Sequence, residues 1–149
     1  RSDRDWSSDV CSSDLNPITV SKAIFEEEFD FLFELDSAKT VRALSPDINA
    51  LKEFGGRAIT VTAKADADTE GNPDFVSRVF APNVGIPEDP VTGSAHCYLS
   101  YYWSQKLKKS EFIAHQVSKR GGTLKIELQG DRTAIAGRGV TIVKGKLLK

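Results

Sequence analysis

The spacing of apolar positions changes period several times along this chain, and each change marks an element. Phe31, Phe33 and Leu35 alternate with Leu32, Glu34 and Asp36, the period-2 pattern of a strand with one face buried. Ser45-Pro46-Asp47 then predicts a short helix, with Ser45 as N-cap, Pro46 in the first helical position and Ile48, Leu51 and Phe54 as its apolar stripe. Gly55-Gly56 ends it. A second strand runs from Arg57 to Ala65, a polar loop from Ala65 to Pro73, and a third strand from Phe75 to Ala81. Four more strands are predicted downstream, over Phe112 to Ser118, Thr123 to Gln129, Arg132 to Ala136 and Val140 to Leu147. Gly130-Asp131 fits a tight hairpin turn, and such short connections predict antiparallel pairing.

One segment breaks the pattern. Ser94 to Leu107, SAHCYLSYYWSQKL, is helical in composition, but Ala95, Cys97, Tyr98, Leu99, Tyr101, Tyr102 and Trp103 leave little polar face. A helix apolar on most sides is expected to be covered on most sides. The fold class read from these elements is α+β, an antiparallel barrel-like sheet wrapped around one central helix. Lys106, Lys108 and Lys109 follow that helix where its dipole is negative, so they need no nucleic-acid partner.

The first fifteen residues, RSDRDWSSDVCSSDL, show neither a hydrophobic period nor turn chemistry. Asp5 to Leu15 resembles the translation of a short-read sequencing adapter, so residues 1–15 are set aside as an artefact and 16–149 read as one domain. Composition changes with that step. The chain holds 20 basic and 21 acidic side chains; without Arg1, Arg4, Asp3, Asp5, Asp9 and Asp14 the formal net charge moves from −1 to +1. Neither balance points to nucleic acid or an anionic membrane. Cys97 is then the one cysteine left, which excludes an intrachain disulfide and makes a reducing, cytoplasmic setting the expectation. No apolar run reaches the roughly 18 residues of a membrane span.

Chemistry concentrates in EDPVTGSAHC, Glu88 to Cys97. Asp89 before Pro90 is held extended, Thr92 or Ser94 can cap the helix, and Gly93 permits close backbone approach. The N–H groups of the first turn then form an anion site suited to a substrate carboxylate. Capping alone accounts for one hydroxyl at about 1 kcal/mol, and on side-chain chemistry alone it outranks catalysis. The setting, a polar loop feeding the most buried helix, favours a site. A serine hydrolase built on Asp89, Ser94 and His96 ranks far lower, because the second glycine of G-x-S-x-G is missing. There is no phosphate loop, and His96, Cys97 and His115 lack zinc-ligand spacing. Cys97 is expected in the core.

Phe75 to Trp103, with its R-x-F-x-P approach, E-D-P-x-T-G-S-A turn and aromatic helix in order, resembles the second domain of the PhzF-like family. That family is named for phenazine biosynthesis and has the diaminopimelate epimerase fold. Val41 to Asp47 and the S-x-R-G-G-x-L stretch at Ser118 to Leu124 extend the resemblance over 16–149. It implies half of a two-domain protein whose active site lies between two helix N-termini, and cofactor-free proton transfer at carbon. Asp89 would be the catalytic acidic residue that assists proton transfer or orients the substrate; Thr92, Gly93 and Ser94 would bind a small carboxylate substrate; no metal is implied. The first domain, with its G-N-P segment and glutamate, is expected upstream in a truncated gene, and Gly71-Asn72-Pro73 is a coincidence of spelling. Such a half is expected to be inactive alone; a third reading has it associate through its bare cleft face into dimers or aggregates, a homodimer among them. The rival reading is a natural single-domain carboxylate-binding module without catalysis. The roles of Glu88 and His96, and the substrate, stay open.

Overall fold

The computed structural model describes residues 17–25, 27–67 and 69–147; the adapter-like segment lies outside them. Among the described residues, eight strands and three helices follow in the order β1 (Thr19–Phe25), β2 (Glu28–Glu34), α1 (Ala38–Ala43), α2 (Ile48–Glu53), β3 (Ala58–Lys64), β4 (Phe75–Ala81), β5 (Ile86–Asp89), α3 (Gly93–Leu107), β6 (Glu111–Gln116), β7 (Gly122–Gln129) and β8 (Arg132–Ala136), with a 3₁₀ turn at Pro82–Val84. All strands join one curled sheet in the order β1-β2-β3-β4-β6-β7-β8, with β5 also on β4. The α+β class and the half-barrel around one helix stand.

The pairing is mixed, which corrects the all-antiparallel expectation. β2 and β3 run parallel, as do β4 and β6. Parallel neighbours require a crossover of a dozen or more residues, and two crossovers exist: α1 with α2 between β2 and β3, and β5 with α3 between β4 and β6. β4 is the pivot of the sheet. Its Phe75–Ser77 stretch pairs with β6, while Val79 and Ala81 pair with β5. Since β3 occupies the opposite edge, β5 and β6 share one edge of β4 end to end, and the sheet forks beside Arg78.

Strands β2, β3 and β4 are buried on both faces. Phe31, Phe33, Val61, Val76 and Phe80 pack under α1 and α2 with Val41, Leu44 and Leu51. Leu32, Phe75, Val79, Phe112, Leu124 and Ile126 pack under α3 with Ala95, Leu99 and Trp103. Phe75 stacks on Trp103 with centroids 5.5 Å apart and an interplanar angle of 11°. Trp103 Nε1 donates to Thr62 Oγ1 at 3.1 Å, and that hydroxyl donates to the Val76 carbonyl at 2.7 Å. The buried indole therefore leaves no polar atom unpaired.

Several expectations shift. α2 is capped by Asp47, which accepts from the Asn49 and Ala50 amides at 2.8 and 3.3 Å, not by Ser45. Strand β1, helix α1, capped by Ser37, and strand β5 had no strong period to announce them. Val140 to Leu147 forms no strand: Val140, Ile142, Val143 and Leu147 are exposed and touch no ladder. α3 is covered along Ala95, His96, Leu99, Ser100 and Trp103, but Cys97 and Tyr101 are exposed, so the thiol is not in the core. No helix among the described residues is long and apolar enough to cross a membrane. Because Phe75 joins β4 to Trp103, Phe112 and His96, Phe75→Ala should cost about 3–5 kcal/mol, measured by urea unfolding; a loss under 1 kcal/mol would contradict this packing.

Candidate active site

The segment leading to the site is shaped by backbone constraints. Pro82 opens the 3₁₀ turn, Gly85 closes it in the left-handed region with φ of 82°, and β5 folds back along β4. Consecutive strand residues point to opposite faces, so Glu88 and Asp89 part company. Glu88 turns to the α1 side and takes a two-pronged bond from Arg78, Nε to Oε1 at 2.6 Å and Nη2 to Oε2 at 3.1 Å. The same guanidinium donates to the Leu44 carbonyl at 2.6 Å. Arg78 and Glu88, the first members of the two sequence motifs, thus tie β4, β5 and the end of α1 together. Glu88 is occupied there and does not converge on Asp89.

Asp89 lies half-buried at the mouth of α3. Thr92 holds the N-cap position but makes no side-chain capping bond. Its hydroxyl donates instead to Asp89 Oδ2 at 2.5 Å. The capping explanation for this threonine therefore fails, and the first-turn amides have no cap from it. A Cβ placed on Gly93 would meet nothing within 4 Å, so the space beside Gly93 is open. Gly93 and Ser94 are exposed beside it.

A cation that the sequence did not announce stands at the same helix end. Arg57 Nη2 donates to Ser94 Oγ at 3.3 Å. Its main partner is the buried Asp30, reached by Nε to Oδ1 at 3.0 Å and Nη2 to Oδ2 at 2.5 Å. The hydrogen bond to Asp30 raises the guanidinium's pKa against a smaller opposing effect of burial, so Arg57 stays charged. Close by, Tyr98 and Thr60 share a 2.6 Å hydrogen bond, and burial pushes the phenol's pKa well up, keeping it neutral.

His96, the fourth residue of α3, is buried at the end of the first turn. A carbonyl can only accept, so the 2.6 Å contact with the Thr92 carbonyl puts the proton on Nδ1. Nε2 is buried with no partner among the described residues. Burial lowers the imidazole pKa, and the bond to Thr92 only partly offsets this. With His96 on Thr92 and Ser94 on Arg57, Asp89, Ser94 and His96 do not form a hydrolase triad.

β6 and the loop after it underpin the turn. The Gln116 amide, 1% exposed, accepts from the Thr92 N–H at 2.8 Å and donates to the Asp89 carbonyl at 2.6 Å and to Thr92 Oγ1 at 3.1 Å. Ser118 Oγ donates to the Pro90 carbonyl at 2.8 Å and accepts from the Gly121 amide at 3.0 Å. Gly122 abuts Val91 so closely that a Cβ would come within 2.4 Å of its Cγ2. The S-x-R-G-G-x-L stretch is thus the floor of the turn. Cavities of about 650 and 910 Å³ lie along β6–β8, away from Asp89.

With this geometry in place, comparison with known proteins identifies the chain. The profile of the PhzC-PhzF family, described as phenazine biosynthesis-like protein, matches residues 5–145. The chain is 50% identical over 134 residues to an uncharacterized isomerase of Halalkalibacterium halodurans, covering 90% of this chain and 48% of that protein. It is 52% identical over 114 residues to phenazine biosynthesis-like domain-containing protein 1 of Mus musculus, covering 76% and 39%. The crystal structure of a PhzF-family protein from Enterococcus faecalis superposes with a TM-score of 0.77 at 35% identity, over 89% of this chain and 46% of that one. The chain belongs to the phenazine biosynthesis-like family, whose bacterial relatives include proteins named isomerases. It spans about half the length of the curated relatives it matches.

Two outcomes follow from the site. The unfolded chain protonates His96 near pH 6.5, whereas the buried ring resists protonation, so stability is full above that pH and falls as pH drops below it. Urea midpoints at pH 7.5 and 5.5 should differ less in His96→Gln than in the parent; His115, also lowered chiefly by burial, serves as the second term through His115→Gln. Equal slopes in parent and His96→Gln would refute the assignment. Gly122→Ala should cost about 1–3 kcal/mol by driving Val91 from its seat, with the amide shifts of Val91 and Thr92 moving most.

Proposed function

We propose that this chain carries one side of the active site of a cofactor-independent isomerase that moves a proton at carbon on a small carboxylate-bearing substrate. Asp89 is the acid or base. Thr92 orients it, while Gly93, Ser94 and the first-turn amides of α3 hold the substrate's carboxylate at the positive end of the helix. The observation that carries this reading is the Thr92 hydroxyl: at an N-cap position it serves Asp89 and leaves the helix end open. Arg57 beside Ser94 adds positive charge where the anion would sit. The isomerase names of relatives in the same family support the reaction class.

In this reading proton transfer at carbon uses a second acid or base besides Asp89, and each group must lie within hydrogen-bond reach of the proton it moves. Asp89 is the first, and Glu88 is engaged by Arg78. The chain by itself should therefore bind carboxylates without turnover. The second reading, a carboxylate-binding module, rests on the same open helix end and Arg57, and differs in having no chemistry under any pairing.

A chimera decides between them. This chain replaces the matching half of the H. halodurans isomerase, and incorporation of deuterium from D₂O into carbon-bound positions of small aromatic and amino carboxylates is followed by NMR. The chain alone should exchange nothing, the chimera should exchange, and Asp89→Asn should slow it by about 10²–10⁴-fold with calorimetric binding retained. Turnover by the chain alone, or full exchange in the Asp89→Asn chimera, would sink the proposal. Binding with no exchange in any form would favour the module.

A further inference from the structure

We infer that Gln116 is a positioning residue for Asp89, acting through Thr92; this rests on the reading of Asp89 as the acid or base. The case begins with the fork in the sheet. Ser77 of β4 is in register with Gln116 at the end of β6, and Val79, two residues on, is in register with Asp89 at the end of β5. The two strand ends meet at the fork, and the Gln116 side chain spans the join. It does so as a peptide group would, with one carbonyl and one N–H engaging main-chain partners.

Those partners fix which end of the amide is which. A peptide N–H can only donate, so the Thr92 amide at 2.8 Å faces Oε1; a carbonyl can only accept, so the Asp89 carbonyl at 2.6 Å faces Nε2. The second hydrogen on Nε2 then points to Thr92 Oγ1 at 3.1 Å. Because Nε2 has no lone pair to offer, the threonine hydroxyl must accept there. Its single proton is left for Asp89 Oδ2, at 2.5 Å. The direction of the whole chain, Gln116 to Thr92 to Asp89, is thus set by two backbone groups.

The consequence is chemical. Asp89 Oδ2 is engaged by a donor whose orientation cannot reverse, which fixes the carboxylate plane and leaves Oδ1, with no hydrogen bond to it among the described residues, turned to the substrate side. Reversing the amide end would turn the Thr92 hydroxyl away and release the carboxylate to rotate. Burial makes the arrangement firm, since Gln116 is 1% exposed and water does not compete for its amide.

The test needs no substrate. In the 149-residue chain, NMR should show a Thr92 hydroxyl proton protected from exchange with water. Gln116→Glu keeps the shape and, ionised at high pH, cannot donate and offers the hydroxyl a competing acceptor; Gln116→Leu removes both functions at any pH. Each should speed hydroxyl exchange by roughly fivefold or more, the factor that a hydrogen bond of typical net strength maintains, while amide protection across β7 stays as in the parent. A Thr92 hydroxyl that is unprotected in the parent, or equally protected in both variants, overturns the inference. Should Gln116→Leu fail to fold, Gln116→Glu carries the decision alone. The role of Asp89 itself is judged by the chimera's deuterium exchange, so each idea can fail without the other.

Discussion

The whole arrangement depends on β4 changing partners at Arg78. A strand edge that serves β6 for its first half and β5 for its second cannot be covered without a seam, and the backbone on either side of a seam still has to be hydrogen-bonded. Two side chains close this one, on opposite faces. Arg78 ties Glu88 and the end of α1 on the α1 side; Gln116 ties Asp89 and Thr92 on the α3 side. The turn proposed as reactive is therefore built on a break in the sheet that is pinned from both sides, which gives a loop the fixed geometry that chemistry demands.

The helix that leaves this turn is aimed by its buried face. Ala95, Leu99 and Trp103 lie against the sheet through Phe75, and burial of each large side chain contributes about 2 kcal/mol. That packing sets where the N-terminus of α3 opens. Arg57 and Asp30 set its charge: a guanidinium held by a buried carboxylate keeps its place beside Ser94 without rotating freely. In the proposed reading stability and function share residues here, because the bonds that hold the helix end would also shape the anion site.

Much of this was legible in the sequence, for identifiable reasons. Strands β3, β4 and β7 carry strong β-branched or alternating patterns and appear within a residue or two of their expected bounds. The turn residues Asp89, Thr92, Gly93 and Ser94 are brought together, since they are neighbours in sequence. What escaped was non-local. Parallel pairing depends on which crossovers pack back onto the sheet, and no local period encodes that. Gln116 reads as one polar residue in an alternating strand, and Arg57 as the polar edge of another; nothing in either stretch marks the partner. Val140 to Leu147 shows the opposite failure, since a strong β pattern forms no strand without an edge that accepts it.

That tail bears on how the half-barrel is to be understood. β-propensity measures fit to a pleated, half-buried surface, and Val140, Ile142 and Val143 have no such surface among the described residues. The same holds at the other end of the sheet, where β1 leaves Val20 and Ile24 exposed. A core that is closed under α1, α2 and α3 is thus flanked by apolar edges that are not. Asp89 stands on that incompletely covered molecule with its Oδ2 occupied and the space before Gly93 open. One carboxylate on one side of an open space can hold or exchange a proton on a single face; turning a carbon centre over needs a second group opposite. In the reading proposed above, that second group comes from another surface.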